Sequence, residues 1–279
     1  MTLQTATATI SPNQALWEKG DFTRLAATMR DSGTNFIKKT GVRVGDKVLD
    51  LGCGDGTTAL PSARIGAEVT GIDIARNLVA AGNQRAAAEN LQNCRFHHGD
   101  ACNLASVADD SFDWVISVFG AMFAPRPADV AKEMVRVAKP GGRIVMGNWI
   151  AGDPTLIAQI LKISGAYSPP PPEGFISPVR WGVEADVIQR FGEAGVTADQ
   201  ISFERETFIF DLTGTAEDFV GIFRDYYGPT MNAYAAAAAN GKDADLEAEL
   251  VDLFNRQNTS KEAGRMVLPA TFLRVTVQV

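Results

Sequence analysis

The run Val48-Leu49-Asp50-Leu51-Gly52-Cys53-Gly54-Asp55-Gly56-Thr57 constrains this chain more than any other stretch. A short apolar strand ends in an acidic residue and three alternating glycines, and a helical pattern follows. Glycine lets a backbone turn tightly and approach a ligand with no Cβ in the way. The first turn of the following helix offers unpaired N–H groups. Dinucleotide sites use this construction for a pyrophosphate, with glycines at the first, third and sixth places. Here the sixth place is Thr57, and the third glycine arrives one residue early, at Gly56. That spacing favours a ligand without a pyrophosphate.

Around this loop the chain alternates strand and helix patterns. Residues 47–51 and 68–73 read as buried parallel strands, 95–98 as a short third, 112–119 as a fourth and 143–149 as a fifth. Helical patterns at 57–65, 75–91 and 128–138 separate most of them, the first closed by Gly66. The alternation predicts an α/β fold, a mostly parallel sheet with helices on both faces. Residues 13–40 carry Leu16, Trp17, Phe22, Leu25, Met29, Phe36 and Ile37 at mostly helical spacing, which predicts two short N-terminal helices.

After residue 150 the pattern changes. Ser168 to Pro172 reads as a stiff, polyproline-like loop. Residues 183–194 read as a helix, and 203–210 and 272–279 as strands. An Ala-rich helix at 234–239 ends at Asn240-Gly241. The expected organisation is therefore a helical arm or lid over 1–40, a core over 41–211 and 269–279, and a helical cap inserted at 212–268.

Composition narrows the function. The formal net charge of −7 argues against a nucleic-acid partner, because phosphate binding needs a basic surface. No apolar run is long enough to span a bilayer, and the opening MTLQTATATISP lacks a signal-peptide pattern. Cys53, Cys94 and Cys102 have no zinc-site spacing and read as free thiols of a cytoplasmic protein.

Two further acids follow strand ends. Asp73 lies roughly 20 residues beyond the glycine loop, where an acid can accept both hydroxyls of a ribose; its alternative role is a helix N-cap. Asp100, in Gly99-Asp100-Ala101, can accept a hydrogen bond from an adenine amino group. Together, VLDLGCGDG, VTGID, GDA, DDSFDWVISVFGAMFAP and RVAKPGGRIVMGNW resemble the class I S-adenosylmethionine-dependent methyltransferases. The likeness is to the type 11 and ubiquinone/menaquinone-biosynthesis groups, and it covers residues ~45–150. It implies a Rossmann-like seven-stranded sheet whose last strand is antiparallel, and S-adenosyl-L-methionine as cofactor. It also implies residue roles. Gly52, Cys53 and Gly54 would pass under the methionine part, and Asp50 would orient its amino group, directly or through water. Asp73 would hold the ribose, Ile74 the adenine face, and Asp100 and Ala101 the adenine edge. Val118 and Phe119 would line the methyl end.

A sulfonium methyl is already electrophilic, so transfer needs alignment and exclusion of water. A phenol, alcohol or carbon acid also needs a place for its proton. The only histidines, His97 and His98, stand at the adenine end, and clustered carboxylates for a metal are lacking. Tyr226 is the candidate for contact with a substrate oxygen; Tyr226 and Tyr227 have packing as their alternative. Trp17, Phe22, Met122, Phe123, Trp149 and the two tyrosines are the expected substrate pocket, with Phe175 and Trp181 as further aromatic candidates. The pocket predicts a small apolar or aromatic substrate; the oligomeric state is not specified. Two other readings stay open at this point. One is a nicotinamide-dependent oxidoreductase, weakened by Thr57 and by the absence of a Tyr-x-x-x-Lys pair. The other is an inactive, cofactor-holding partner subunit.

Overall fold

A computed structural model describes residues 10–279; residues 1–9 of the expected arm lie outside the described residues. One sheet contains β1 (Lys47–Leu51), β2 (Glu68–Asp73), β3 (Cys94–His98), β4 (Phe112–Val118), β5 (Ala138–Trp149), β6 (Ile201–Thr213) and β7 (Arg265–Gln278). The strand order is β3-β2-β1-β4-β5-β7-β6. Strands β1 to β5 pair in parallel, and β7 runs antiparallel to both β5 and β6. The chain winds outward from β1 to one edge and restarts at β4 on β1's other side. Such a reversal opens a crevice at the carboxyl ends of the strands.

The helices follow from local signals. Three precede the sheet: α1 (Pro12–Glu18), α2 (Thr23–Ala26) and α3 (Arg30–Thr40). The Ser11 side chain caps α1, Pro12 opens it, and Gly41 at φ 92° ends α3. Helix α4 (Ala59–Ile65) ends at Gly66 with φ 101°, and α5 (Arg76–Ala88) and α6 (Pro127–Val137) follow β2 and β4. Valines and methionine at 130, 134 and 137 bury one face of α6. Helices α7 (Leu156–Tyr167) and α8 (Glu184–Gly192) lie between β5 and β6. Helices α9 (Ala216–Tyr226), α10 (Gly228–Ala239) and α11 (Asp243–Gln257) lie between β6 and β7. No described helix is long and apolar enough to cross a membrane.

Three features depart from the sequence reading. Helix α7 was not foreseen: LIAQILKISGAY is apolar around most of its circumference, since it packs against α10 and α11 as well as β7. The N-terminal region forms three helical pieces, with a short 3₁₀ turn at Ala27–Met29, where two helices were predicted. The last strands are longer than predicted, pairing from Ile201↔Val277 to Thr213↔Arg265. Pro269 sits inside β7 without cost to the sheet. Strand β5 pairs with β7 only over Phe272 to Gln278, so β6 is the sole partner at Pro269. Outer strand β6 alternates buried Phe208 and Phe210 with exposed Thr207 and Asp211. Its free edge is partly covered by α3, whose Ser32 hydroxyl donates to the Ile209 carbonyl at 3.0 Å and accepts the Ile209 N–H at 2.9 Å.

Candidate active site

The glycine loop leaves β1 by a main-chain contact. Gly52 has φ +69°, and a Cβ there would stand 2.6 Å from the Gly120 Cα at the end of β4. Ser117 ties the same two strand ends together: its hydroxyl donates to the Leu51 carbonyl at 2.6 Å and accepts the Ala121 N–H at 3.0 Å. At Gly54, φ is +54° and no atom lies within 4 Å of where a Cβ would be. That open space belongs to a cleft of about 1080 Å³, counting its mouth, at the carboxyl edge of the sheet. Strand-end loops and apolar side chains from several helices share its wall.

One half of the cleft wall comes from strand-end loops: Gly52, Cys53, Gly54, Asp55, Thr57, Thr58, Ile72, Asp73, Ile74, Leu78, Gly99, Asp100 and Ala101. Asp73 is buried there. One carboxylate oxygen accepts the Gly54 N–H at 2.8 Å, and the other accepts the Ala75 N–H at 2.8 Å. Asp73 thus braces the turn into α5, whose N-cap position is Ala75 rather than Asp73, and it also lines the cleft. Four acceptor sites less two leaves capacity on each oxygen for a diol. Burial raises the Asp73 pKa, opposed by the two backbone N–H groups. Asp100 turns one oxygen onto the Cys102 N–H at 2.8 Å and presents the rest to the cleft.

Asp50 departs from expectation. It does not line the cleft but is buried beneath the loop, where the Thr58 hydroxyl donates to it at 2.6 Å. Its other oxygen is buried without a partner among the described residues. Burial pushes its pKa up to about 7, against the pull of the Thr58 hydroxyl. The side chain braces the entry to α4 from behind. Asp55, not singled out in the sequence, does line the cleft. It pairs with Arg30 of α3 at 2.7 Å and Arg85 of α5 at 3.4 Å, tying the N-terminal helices to the loop.

The other half of the wall is aromatic and aliphatic: Trp17, Phe22, Leu25, Met29, Val118, Phe119, Phe123, Trp149, Ile157, Phe210, Phe223 and Tyr227. Phe119 occupies the left-handed region, φ 59°, which is uncommon for a bulky residue and costs on the order of 1–3 kcal/mol. Its ring stacks on Trp149 at 3.5 Å with 9° between planes, and Phe208 and Phe272 pack edge-on against it. These contacts hold it in place. Trp17 packs edge-on against Phe22 and Phe123 and lies 5.9 Å from Tyr227.

Tyr226 does not reach this cleft. It ends α9 and faces an outer groove with Thr23, Ala27 and Ile222, and the Arg24 guanidinium lies 5.6 Å over its ring. Tyr227 leaves the helix with extended backbone and turns inward instead. Met122 is buried in the core behind the wall. Trp181 is buried against Phe191 and Arg190, and Phe175 is exposed to solvent. His97 and His98 are exposed on β3 and absent from the wall. Among the described residues, no lysine, arginine or histidine lines the cleft. No cluster of three or more metal-ligating side chains occurs among the described residues. Leu25, Met29, Ile157, Phe210 and Phe223 were missed by sequence reasoning, because nothing distinguishes an apolar wall residue from a core residue until the chain is folded.

Comparison with known proteins adds a family signature. A methyltransferase-domain family model matches residues 49–146. An uncharacterized protein of Mycobacterium tuberculosis is 32% identical over 259 residues, covering 91% of this chain and 92% of its own. A demethylmenaquinone methyltransferase of a Geobacillus species is 39% identical over 125 residues, 43% of this chain and 52% of that one. Among solved structures, a Haemonchus contortus phosphoethanolamine N-methyltransferase aligns with a TM-score of 0.54 at 17% identity. The alignment covers 89% of this chain and 52% of that one, which was solved with phosphomonomethylethanolamine and S-adenosylhomocysteine.

Proposed function

The chain belongs to the S-adenosylmethionine-dependent methyltransferases, and from that premise we propose that it methylates a small, uncharged apolar or aromatic molecule. S-adenosyl-L-methionine is its cofactor and supplies, when bound, an already electrophilic methyl group. In this reading Asp73 holds the ribose hydroxyls, Ile74 packs on the adenine, and Asp100 with Ala101 meets the adenine edge. Gly52, Cys53 and Gly54 leave the backbone clear for the methionine part, while Asp50 supports them from behind. Val118 and Phe119 stand at the methyl end. Residues 10–40 act as a lid and 212–268 as a cap.

The observation that carries the substrate class is the uncharged aromatic half of the wall. A phosphate or carboxylate buried there would have no cation to pair with, which costs several kcal/mol. An apolar ring gains about 25 cal/mol per Å² of surface removed from water. No side chain of the aromatic half is suited to take a proton at neutral pH, so the nucleophile belongs to a substrate acidic enough to lose its proton to water. We place the enzyme in the cytoplasm, a reading supported by its three free, buried thiols. The nicotinamide alternative is not favoured, because the third glycine is misplaced for a pyrophosphate.

Incubation with methyl-tritiated S-adenosylmethionine tests the substrate class. The panel is a set of lipophilic phenols and enols, phosphoethanolamine, and a basic protein. Label should enter the lipophilic compounds alone. Label in phosphoethanolamine or protein, with none in the phenols, would overturn the reading, and label in none would return the chain to an inactive partner role.

A further inference from the structure

Among the described residues, the apolar half of the cleft has one side-chain hydroxyl, that of Tyr227, a buried residue whose ring lines the wall. Its ring is fixed from three sides, by Trp17 at 5.9 Å, Phe22 at 6.2 Å and Phe223 at 5.6 Å. The residue joins α9 to α10, with its N–H bonded to the Phe223 carbonyl at 3.1 Å. Two glycines clamp the joint. A Cβ on Gly228 would meet the Leu16 carbonyl oxygen at 2.6 Å, and one on Gly20 would meet the Tyr226 carbonyl oxygen at 2.6 Å. These close approaches hold the backbone on either side of the ring against α1.

The hydroxyl makes no hydrogen bond among the described residues, and burial alone moves its pKa well above the usual tyrosine range. It stays protonated at neutral pH, which makes it a donor and unsuits it as a base. The hydroxyl opens onto the cleft without a protein partner, so a ligand acceptor placed there can take up its hydrogen bond. Asn13, one turn before Trp17 on α1, is the other uncharged amide or phenol on the wall, but it is half-exposed and has water for a partner.

We propose that the Tyr227 hydroxyl is the specificity-determining donor of this site, binding a carbonyl-type oxygen on an otherwise apolar, ring-shaped substrate. This rests on the apolar-substrate reading above and adds one polar requirement to it. The donor also bears on the chemistry. An oxygen conjugated with the nucleophilic atom shares the charge left when the substrate loses its proton to water. A hydrogen bond from Tyr227 to that oxygen stabilises the anion in an apolar chamber. Transfer then forms the bond from the nucleophile to the methyl carbon, and the carbon–sulfur bond breaks with its electron pair remaining on sulfur.

The test is a binding cycle that does not depend on turnover. The affinities of 1-tetralone and of tetralin, which lacks the oxygen, are measured by calorimetry on protein saturated with S-adenosylhomocysteine. Wild type, Tyr227→Phe and the outward-facing control Tyr226→Phe are compared, with S-adenosylhomocysteine affinity reporting that each variant is folded. The preference for tetralone over tetralin should fall about fivefold in Tyr227→Phe, the usual worth of one hydrogen bond, and stay unchanged in Tyr226→Phe. Saturable binding of both compounds with an unaltered preference in Tyr227→Phe would overturn the donor role alone. Binding of neither compound, with S-adenosylhomocysteine still held, would overturn the apolar chamber and the donor with it.

Discussion

The two halves of the cleft are built by different means. The half made of strand-end loops draws on residues 52–101, and main chain does much of the work. Left-handed glycines, the Gly52–Gly120 contact and the Asp73 bonds to two backbone N–H groups fix its shape. The aromatic half draws on α1, α2, the ends of β4 and β5, α7, β6 and α9, separated by as many as two hundred residues, and side chains make it. A site whose shape is held by backbone geometry tolerates few changes, whereas one made of packed rings can be relined.

That contrast can be broken from either side. The largest effect belongs to Asp73→Ala, which removes the proposed ribose acceptor and the braces to Gly54 and Ala75. Affinity for S-adenosylhomocysteine, read by calorimetry, should fall by about 10- to 150-fold, the equivalent of about 1.5–3 kcal/mol. Unchanged affinity would remove Asp73 from the ribose site.

An intermediate effect comes from Asp50. Its folded pKa of about 7 stands above the ordinary carboxylate value of 3.8. The unfolded chain therefore ionises first as pH rises. Stability should decline from about pH 4 and level off above about pH 7, by on the order of 1 kcal/mol between pH 5 and 6. Asp50→Asn keeps an acceptor for Thr58 and removes the charge. Chemical denaturation across pH 5 to 8 should show this slope in wild type and its loss in the variant. An equal slope in both would mean that Asp50 ionises as freely in the fold as out of it.

The smallest effect sharpens the comparison from the other side. Phe210→Leu removes ring area from the aromatic half without touching a loop. Affinity for S-adenosylhomocysteine should change by less than about twofold, because the Phe210 ring packs on Trp149 and Phe223 and on none of the strand-end loops, while the KM of an accepted lipophilic substrate rises. A large loss of cofactor affinity would show the two halves to be coupled.

The same contrast explains what the sequence discloses. The loop half is legible because its geometry demands special residues at fixed spacing. Gly52 and Gly54 need left-handed backbone, and Asp73 must follow a strand so that it can reach both Gly54 and Ala75. The parallel core was legible for a related reason, since 112–118 and 68–73 are apolar runs bounded by turns. The aromatic half is not legible. Phe210 and Phe223 line the cleft and Trp181 does not, yet all three are buried aromatic residues near the end of an element. Tyr226 and Tyr227 are adjacent and identical in type, and only the termination of α9 between them decides which faces inward. Helix α7 escaped notice because packing on several sides erased the one-sided periodicity by which a surface helix is recognised. The Asp50 role came with the family resemblance, as a contact made directly or through water, and its place in β1 directs the side chain beneath the glycines toward Thr58.

The reciprocal glycine contacts between Gly20 and the Tyr226 carbonyl and between Gly228 and Leu16 carry one last consequence. Because main chain sets the clearance on both sides of that seam, α1 and the α9–α10 junction meet at a spacing that no change of ring in the wall would alter. A methyl group added at either glycine would have to push the two segments apart, so the spacing is inherited from the backbone and not from the side chains it brings together.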